Sequence, residues 1–228
     1  VGQAQVMTLC QDRRGAIWAG TYGGGACRFD GKGFSYLSTD DGLYSNVVTD
    51  AIEDSQGNLW MSNLGVGVCR YDGKKVHRYG EAEGLYMTDK GILIEDKVGH
   101  VWVATVGQGA YQQQQERFKR FDRHDGLLCD TIYDAIVTDE GKIWFGTARG
   151  LSMLQDGLFQ NNFRFSELEN KTISALAKDD SNHVWLAHPG GISCYDGKNF
   201  RLEITTSQLQ DQEVNEMLWD SKHRLWIC

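Results

Sequence analysis

Tryptophan returns at Trp18, Trp60, Trp102, Trp144, Trp185 and Trp226, at intervals of 42, 42, 42, 41 and 41 residues. Only Trp219 stands outside the series. A period of this size marks a chain built from one supersecondary unit used repeatedly, and it constrains the fold before any single motif is read.

Alignment on tryptophan gives one unit. It opens with an apolar or alternating run ("VVTDAIED", "IYDAIVTD", "ISALAKDD"), turns at an Asp–Gly segment, and continues as "NLWMS", "HVWVA", "KIWFG" or "HVWLA". A glycine-bearing loop leads to a third run ("ACRFDG", "VCRYDG", "ISCYDG"), and a fourth holds Phe34, Val76, Phe118, Phe159 and Phe200 at matching places. Four short runs joined by turn signals predict a four-stranded antiparallel meander. One such sheet cannot bury both faces alone, and stacking copies radially around an axis predicts an all-β, β-propeller fold. The repeats run 1–42, 43–84, 85–126, 127–168 and 169–209, with the first two strands of a sixth in 210–228. The two shorter intervals are explained by "TARGL" and "HPGGI", each one residue shorter than "TYGGGA" in a loop, where strand register is unaffected.

Roles within the unit follow from residue type. The six periodic tryptophans are expected to wedge between neighbouring sheets, each burying on the order of 200 Å². Asp12, Asp54 and Asp96 are expected to cap the first turn by accepting backbone N–H bonds. Gly15, Gly57, Gly99 and Gly141 are expected to take positive φ in that turn. Leu43, Leu85, Leu127, Leu168 and Leu209 keep the same beat and are expected to plug the crossover between blades. Glu167 and Gln208 replace the glycine that precedes this leucine elsewhere, and Gln112–Gln115 replaces the third-strand ending of its repeat.

Composition narrows the function. The net charge of −8 repels a phosphate backbone, which argues against nucleic acid. The one basic cluster, Arg117, Lys119, Arg120, Arg123 and His124, reads as a charged edge strand that discourages sheet-to-sheet pairing. No apolar run approaches the roughly 18 residues that a membrane span needs. The six cysteines contain no C-x-x-C, and Cys27 and Cys69 share a repeat position with Ser152 and Ser193, which marks a small packing slot and leaves them unpaired. The six histidines show no H-x-H or H-E-x-x-H spacing. Acidic pairs such as Glu53-Asp54 and Asp179-Asp180 recur once per blade, which suits turn capping rather than calcium. Neither a metal nor a cofactor is expected.

At these residues the chain resembles the two-component regulator propeller family. Its repeat reads approximately G-L-x-x-N-x-V-x-x-I-x-x-D-x-x-G-x-L-W-x-G-T-x-x-G-G-L, and the second repeat matches from Gly42-Leu43 through Asn46, Val48, Ile52, Asp54 and Gly57 to Leu59-Trp60. The resemblance implies a seven-bladed ring on the periplasmic side of a bacterial membrane sensor. A membrane-spanning helix, a histidine kinase or diguanylate cyclase module and a homodimeric parent receptor are implied with it. On that reading the chain, which opens at Val1 and closes on "RLWIC", is a segment cut from a longer protein. Its partners are the remaining blades, the signalling modules and a small-molecule or oligosaccharide ligand.

In a meander the second–third loops and the crossovers share one edge, and variable loops on a rigid scaffold are where binding residues collect. The loops supply Tyr22, Asn63, Gln108, Arg149 and His188. The crossovers supply Tyr44, Asn46, Tyr86 and Asp130. Aromatics mixed with amides and an arginine suit a sugar or a similar polar ligand, and the alternative is that they are solvated loop residues. The leading reading is a non-catalytic sensing module. Two others stand beside it: an enzyme, since "GKIWFGT" is similar to strands of streptogramin lyases, and a protein-interaction scaffold.

Overall fold

In the computed structural model, residues 5–161, 168, 170–210 and 212–228 are described. Glu167 lies outside them. The fold is all-β, with five four-stranded antiparallel sheets and one two-stranded sheet. Each sheet is a blade with strands in chain order. The first comprises β1 (Gln5–Gln11), β2 (Ile17–Tyr22), β3 (Ala26–Phe29) and β4 (Phe34–Leu37), and the second β5 (Val48–Glu53), β6 (Leu59–Asn63), β7 (Gly67–Tyr71) and β8 (Val76–Tyr79). The third comprises β9 (Gly91–Glu95), β10 (Val101–Thr105), β11 (Gly109–Gln114) and β12 (Arg117–Phe121). The fourth comprises β13 (Ile132–Val137), β14 (Ile143–Thr147), β15 (Gly150–Gln155) and β16 (Leu158–Gln160). The fifth comprises β17 (Ala175–Lys178), β18 (Val184–His188), β19 (Gly191–Tyr195) and β20 (Phe200–Thr205). The pair β21 (Met217–Trp219) and β22 (Leu225–Ile227) opens a sixth. The chain groups into two compact units, Val1–Arg120 and Phe121–Cys228.

Every residue of β6, β10 and β14 is buried, so the sequence of these second strands runs apolar without alternation. Trp60 shows the seam best. Its ring stacks on Tyr79 at 5.2 Å, meets the edge of Phe118 from the third blade at 6.4 Å, and is 1% exposed. Trp144 meets Tyr195 of the next blade at 5.4 Å and Trp185 meets Trp219 at 5.6 Å, whereas Trp226 is 54% exposed. Leu43, Leu85, Leu127 and Leu168 are buried at the crossovers, and Leu209 is half-buried.

The aspartate of the first turn does more than cap it. Asp54 Oδ1 accepts from the backbone N–H groups of Gln56 (2.9 Å) and Asn58 (2.8 Å), while Oδ2 accepts from Trp60 Nε1 at 2.8 Å. The same indole bond joins Asp12 to Trp18, Asp96 to Trp102, Asp179 to Trp185 and Asp220 to Trp226. The preceding acid serves the neighbouring blade: Glu53 Oε2 accepts from Arg13 N at 2.7 Å, and Glu95 Oε1 from Ser55 N at 2.8 Å. One acid holds its own turn and the other holds its neighbour's.

Burial raises the carboxyl pKa values of Asp12, Asp96 and Asp179, but bonds from turn amides and indoles outweigh it and hold all three below the ordinary range. A depressed folded-state value gives stability that is present above the unfolded pKa, about 4, and is lost as pH falls through the folded value. The urea midpoint is therefore expected to be flat from neutral pH to about 5 and to drop below about 4. A midpoint that stays level through that acid range would show that these bonds carry no linked stability.

Three features go beyond the strand pattern of the repeat. Short 3₁₀ turns at Thr39–Asp41, Glu81–Glu83 and Arg123–Asp125 precede the "DGL" or "EGL" glycines, which are left-handed caps. The first strands of the first, second and fourth blades carry a bulge. Asp50 and Asp134, just past two of these bulges, accept from Leu93 N and Leu176 N on the next blade's first strand at 2.7 and 2.6 Å. Of the basic cluster, Arg117, Lys119 and Arg120 lie on the outer edge strand β12, while Arg123 and His124 belong to a 3₁₀ turn. The six cysteines are free.

Candidate functional site

In the first five blades the residue three places after the periodic tryptophan faces inward. Thr21, Thr105 and Thr147 are buried there, each donating its hydroxyl to the carbonyl of Gly25, Gly109 or Gly150 across the loop at 2.7–2.9 Å. Asn63 and His188 occupy this same place. Asn63 is fully buried and donates from Nδ2 to Ser45 O at 2.8 Å, tying its loop to the crossover. His188 is 7% exposed.

The other loop residues sit further out. Arg149 is exposed, and Gln108 is half-buried with its carbonyl accepting from Arg120 Nε at 2.7 Å. Tyr22 is 57% exposed, and its backbone bridges to Val47 of the next repeat. Tyr44 is half-buried under the Arg78 guanidinium, 5.2 Å from its ring centre, and Tyr86 is 49% exposed. Asn46 and Asp130 accept from the first backbone N–H of the preceding 3₁₀ turns, at Thr39 and Arg123 (both 2.9 Å). They are crossover caps. The sequence-predicted set thus divides into inward residues that fix loops, His188 and Asn63, and outward ones that meet solvent, Tyr22, Arg149 and Tyr86.

Within the unit 121–228, His188 forms part of the wall of a cleft of about 510 Å³. Thr172, Ser174, Thr206 and Leu209 line it together with the segment Gln212 to Asn215. Ser174 donates to Val214 O at 2.7 Å, pinning the fifth blade to the segment that enters the sixth. Leu209 is marked by its repeat position, but sequence reasoning misses Thr206, Gln212 and Glu213 beside it, crossover residues that vary without a repeat position.

The hydrogen bonds around His188 define what it can do. Nδ1 accepts from Gly190 N at 3.0 Å, so the neutral ring carries its proton on Nε2 and donates to Ser193 Oγ at 2.9 Å. A general base for serine needs the opposite polarity, with Nε2 free to accept the hydroxyl proton. Ser193 is moreover fully buried. The pair therefore holds the loop and is not poised as a nucleophile and its base. The remaining cleft groups, hydroxyls, amides and the Glu213 carboxylate beside the apolar Leu209 and Pro189, suit reversible binding of a polar ligand. No helix is long and apolar enough to cross a membrane, and no cluster of three or more metal-ligating side chains occurs among the described residues.

Comparison with known proteins bears on this arrangement at two levels. The model of the two component regulator propeller family matches residues 2–23, which reach the end of the second strand of the first repeat. No curated protein sequence matches the chain. Among solved structures, PorZ of Porphyromonas gingivalis, a surface component of the type-IX secretion system, superposes with a TM-score of 0.72 at 16% identity; the match takes in 97% of this chain and 37% of that one. The extracellular domain of a putative hybrid two component system from B. thetaiotaomicron gives 0.60 at 20% identity, covering 100% and 38%. Virginiamycin B lyase from Staphylococcus aureus gives 0.77 at 14% identity, covering 100% and 78%. At such identities the likeness is one of fold, a β-propeller. The chain spans well under half the length of the first two.

Proposed function

We propose that the chain is the ligand-sensing propeller portion of a bacterial membrane-anchored signalling receptor, situated on the periplasmic side and without catalysis of its own. The observation that carries this reading is the cleft at His188: a polar, walled cavity on the variable-loop edge whose histidine is fixed in the non-basic orientation toward serine. The family match and the sensor-domain neighbours support the same class. The ligand is a small polar molecule, an oligosaccharide first among the candidates, held by the hydroxyl of Thr206 and the amides of Gln212 and Asn215. The remaining blades, an output module such as a kinase and a homodimeric parent receptor belong to this reading.

The test is calorimetric titration of the purified protein against a glycan panel, with mass spectrometry of the recovered glycans. Binding without cleavage is expected, and the double variant Gln212→Ala, Asn215→Ala should weaken it about tenfold at unchanged melting temperature. Cleaved or eliminated product would favour a lyase-like enzyme. Full affinity in the double variant would remove the cleft from the site.

A further inference from the structure

Within the unit 1–120, a groove of about 600 Å³ lies between the first and second blades, at the edge that carries the Asp12 and Asp54 turns. Its meaning comes from the seam one repeat later, where the same positions are filled. There Tyr79 stacks on Trp60 at 5.2 Å, its hydroxyl donates to Glu116 Oε2 at 2.9 Å, and Glu116 Oε1 lies 3.8 Å from Arg70 Nη2. Arg70 in turn covers the rings of Trp60 and Tyr79.

In the first seam the tryptophan and arginine are kept, as Trp18 and Arg28, with the guanidinium 5.8 Å from the indole centre. The other two are not. Leu37 stands for Tyr79, and Lys74 stands for Glu116. Tyr71 takes up part of the space, meeting Trp18 edge-on at 6.2 Å, and an open groove remains beside it. The groove therefore lacks the ring and the carboxylate that Tyr79 and Glu116 supply in its neighbour, and Tyr71 and Asp12 meet Trp18 and Arg28 from other positions without filling that space.

The charge of the groove points the same way. Its acids are already engaged. Asp12 accepts from its turn, Trp18 and Arg28; Glu53 accepts from Arg13 N; Asp72 accepts from Lys74 N and Lys75 N and faces His77. Among the described residues, Arg28 bonds to protein only through Nε, to Asp12 at 3.4 Å, which leaves its terminal nitrogens as donors. Arg14, exposed at the rim, adds a second guanidinium with no ion pair among the described residues.

We infer that this groove binds a small carboxylate bearing an aromatic ring, the ring lying beside Trp18, Tyr36 and Tyr71 and the carboxylate on Arg28 and Arg14. Offset or edge-on aromatic contact and a charge-assisted bond to guanidinium are the two interactions the second seam makes internally. None of the residues lining this groove lines the His188 cleft.

The probes are N-acetyl-L-tyrosine and its carboxamide, titrated against the 228-residue chain and followed by ligand-observed NMR. The acid should bind saturably and the amide at least about tenfold more weakly, since only the acid pairs with the arginines. Leu37→Tyr, which copies the second seam, should abolish binding of the acid while the melting temperature is held or raised. Arg14→Gln, at an exposed position, should weaken the acid severalfold and leave the fold intact. Equal binding of acid and amide, undiminished binding by a folded Leu37→Tyr protein, or no saturation by the acid at about 10 mM would each overturn the proposal. The wild-type comparison of acid with amide decides even if a variant fails to fold.

Discussion

Trp60→Ala should cost the unit 1–120 about 3–5 kcal/mol, read as a fall in the urea midpoint without a large change in slope. The reason is the number of partners lost together. The indole is 1% exposed and packs with Tyr79, Leu85, Leu93, Val101, Val103 and Phe118, which belong to two blades and the crossover joining them. Its loss opens a void at the seam and removes one donor from Asp54 Oδ2, which then keeps only Asn58 Nδ2 at 2.8 Å. Trp226→Ala, at a ring 54% exposed, should cost far less. Equal costs at the two sites would contradict the seam argument.

Gly67→Ala should be as damaging, at about 3 kcal/mol or more, although it adds one methyl group. Gly67 has φ +134°, and an added Cβ would lie 2.3 Å from Tyr79 O and 3.2 Å from Gly80 Cα. These are backbone atoms of the fourth strand and its exit, which cannot withdraw without breaking their own pairing. Gly57 is the control. Its φ is +84°, but the nearest atom to an added Cβ is Glu53 Oε1 at 4.0 Å, the far end of a flexible side chain. Asn182 and His223 hold the same turn position with φ of 67° and 60°. Gly57→Ala should therefore cost only about 1 kcal/mol. Urea melts of the two variants side by side check this, and similar losses would show that backbone strain alone matters.

The candidate site was less legible than the fold. Tyr22, Asn63, Gln108, Arg149 and His188 differ in chemistry from blade to blade, which makes them look like one variable ring in the sequence. Their exposure separates them: Asn63 and His188 replace the threonine that ties the loop, and substituting either disturbs the loop before any ligand is involved. The 3₁₀ turns, by contrast, had a readable signal. Ser38 and Asp122 are each followed three residues later by an acid, Asp41 and Asp125, and then by glycine, which forms a capping box with a left-handed cap.

The sequence by itself determined the repeat, the strand order within each blade, the inward tryptophan and the acidic turn. These depend on residues close in the chain, and recurrence in register makes each copy confirm the others. Tertiary structure alone decided which glycine is crowded, that Glu53 caps a neighbouring blade's turn, and that the first seam is open where the second is filled. Each of those depends on atoms well separated in the chain, Gly67 with Tyr79, Arg13 with Glu53, Trp18 with Tyr71 and Trp60 with Phe118, that meet only when strands and sheets pack. The substitutions Tyr79 to Leu37 and Glu116 to Lys74 are plain in the alignment, but they become a groove only because Trp18 and Arg28 stay in place around the space they leave.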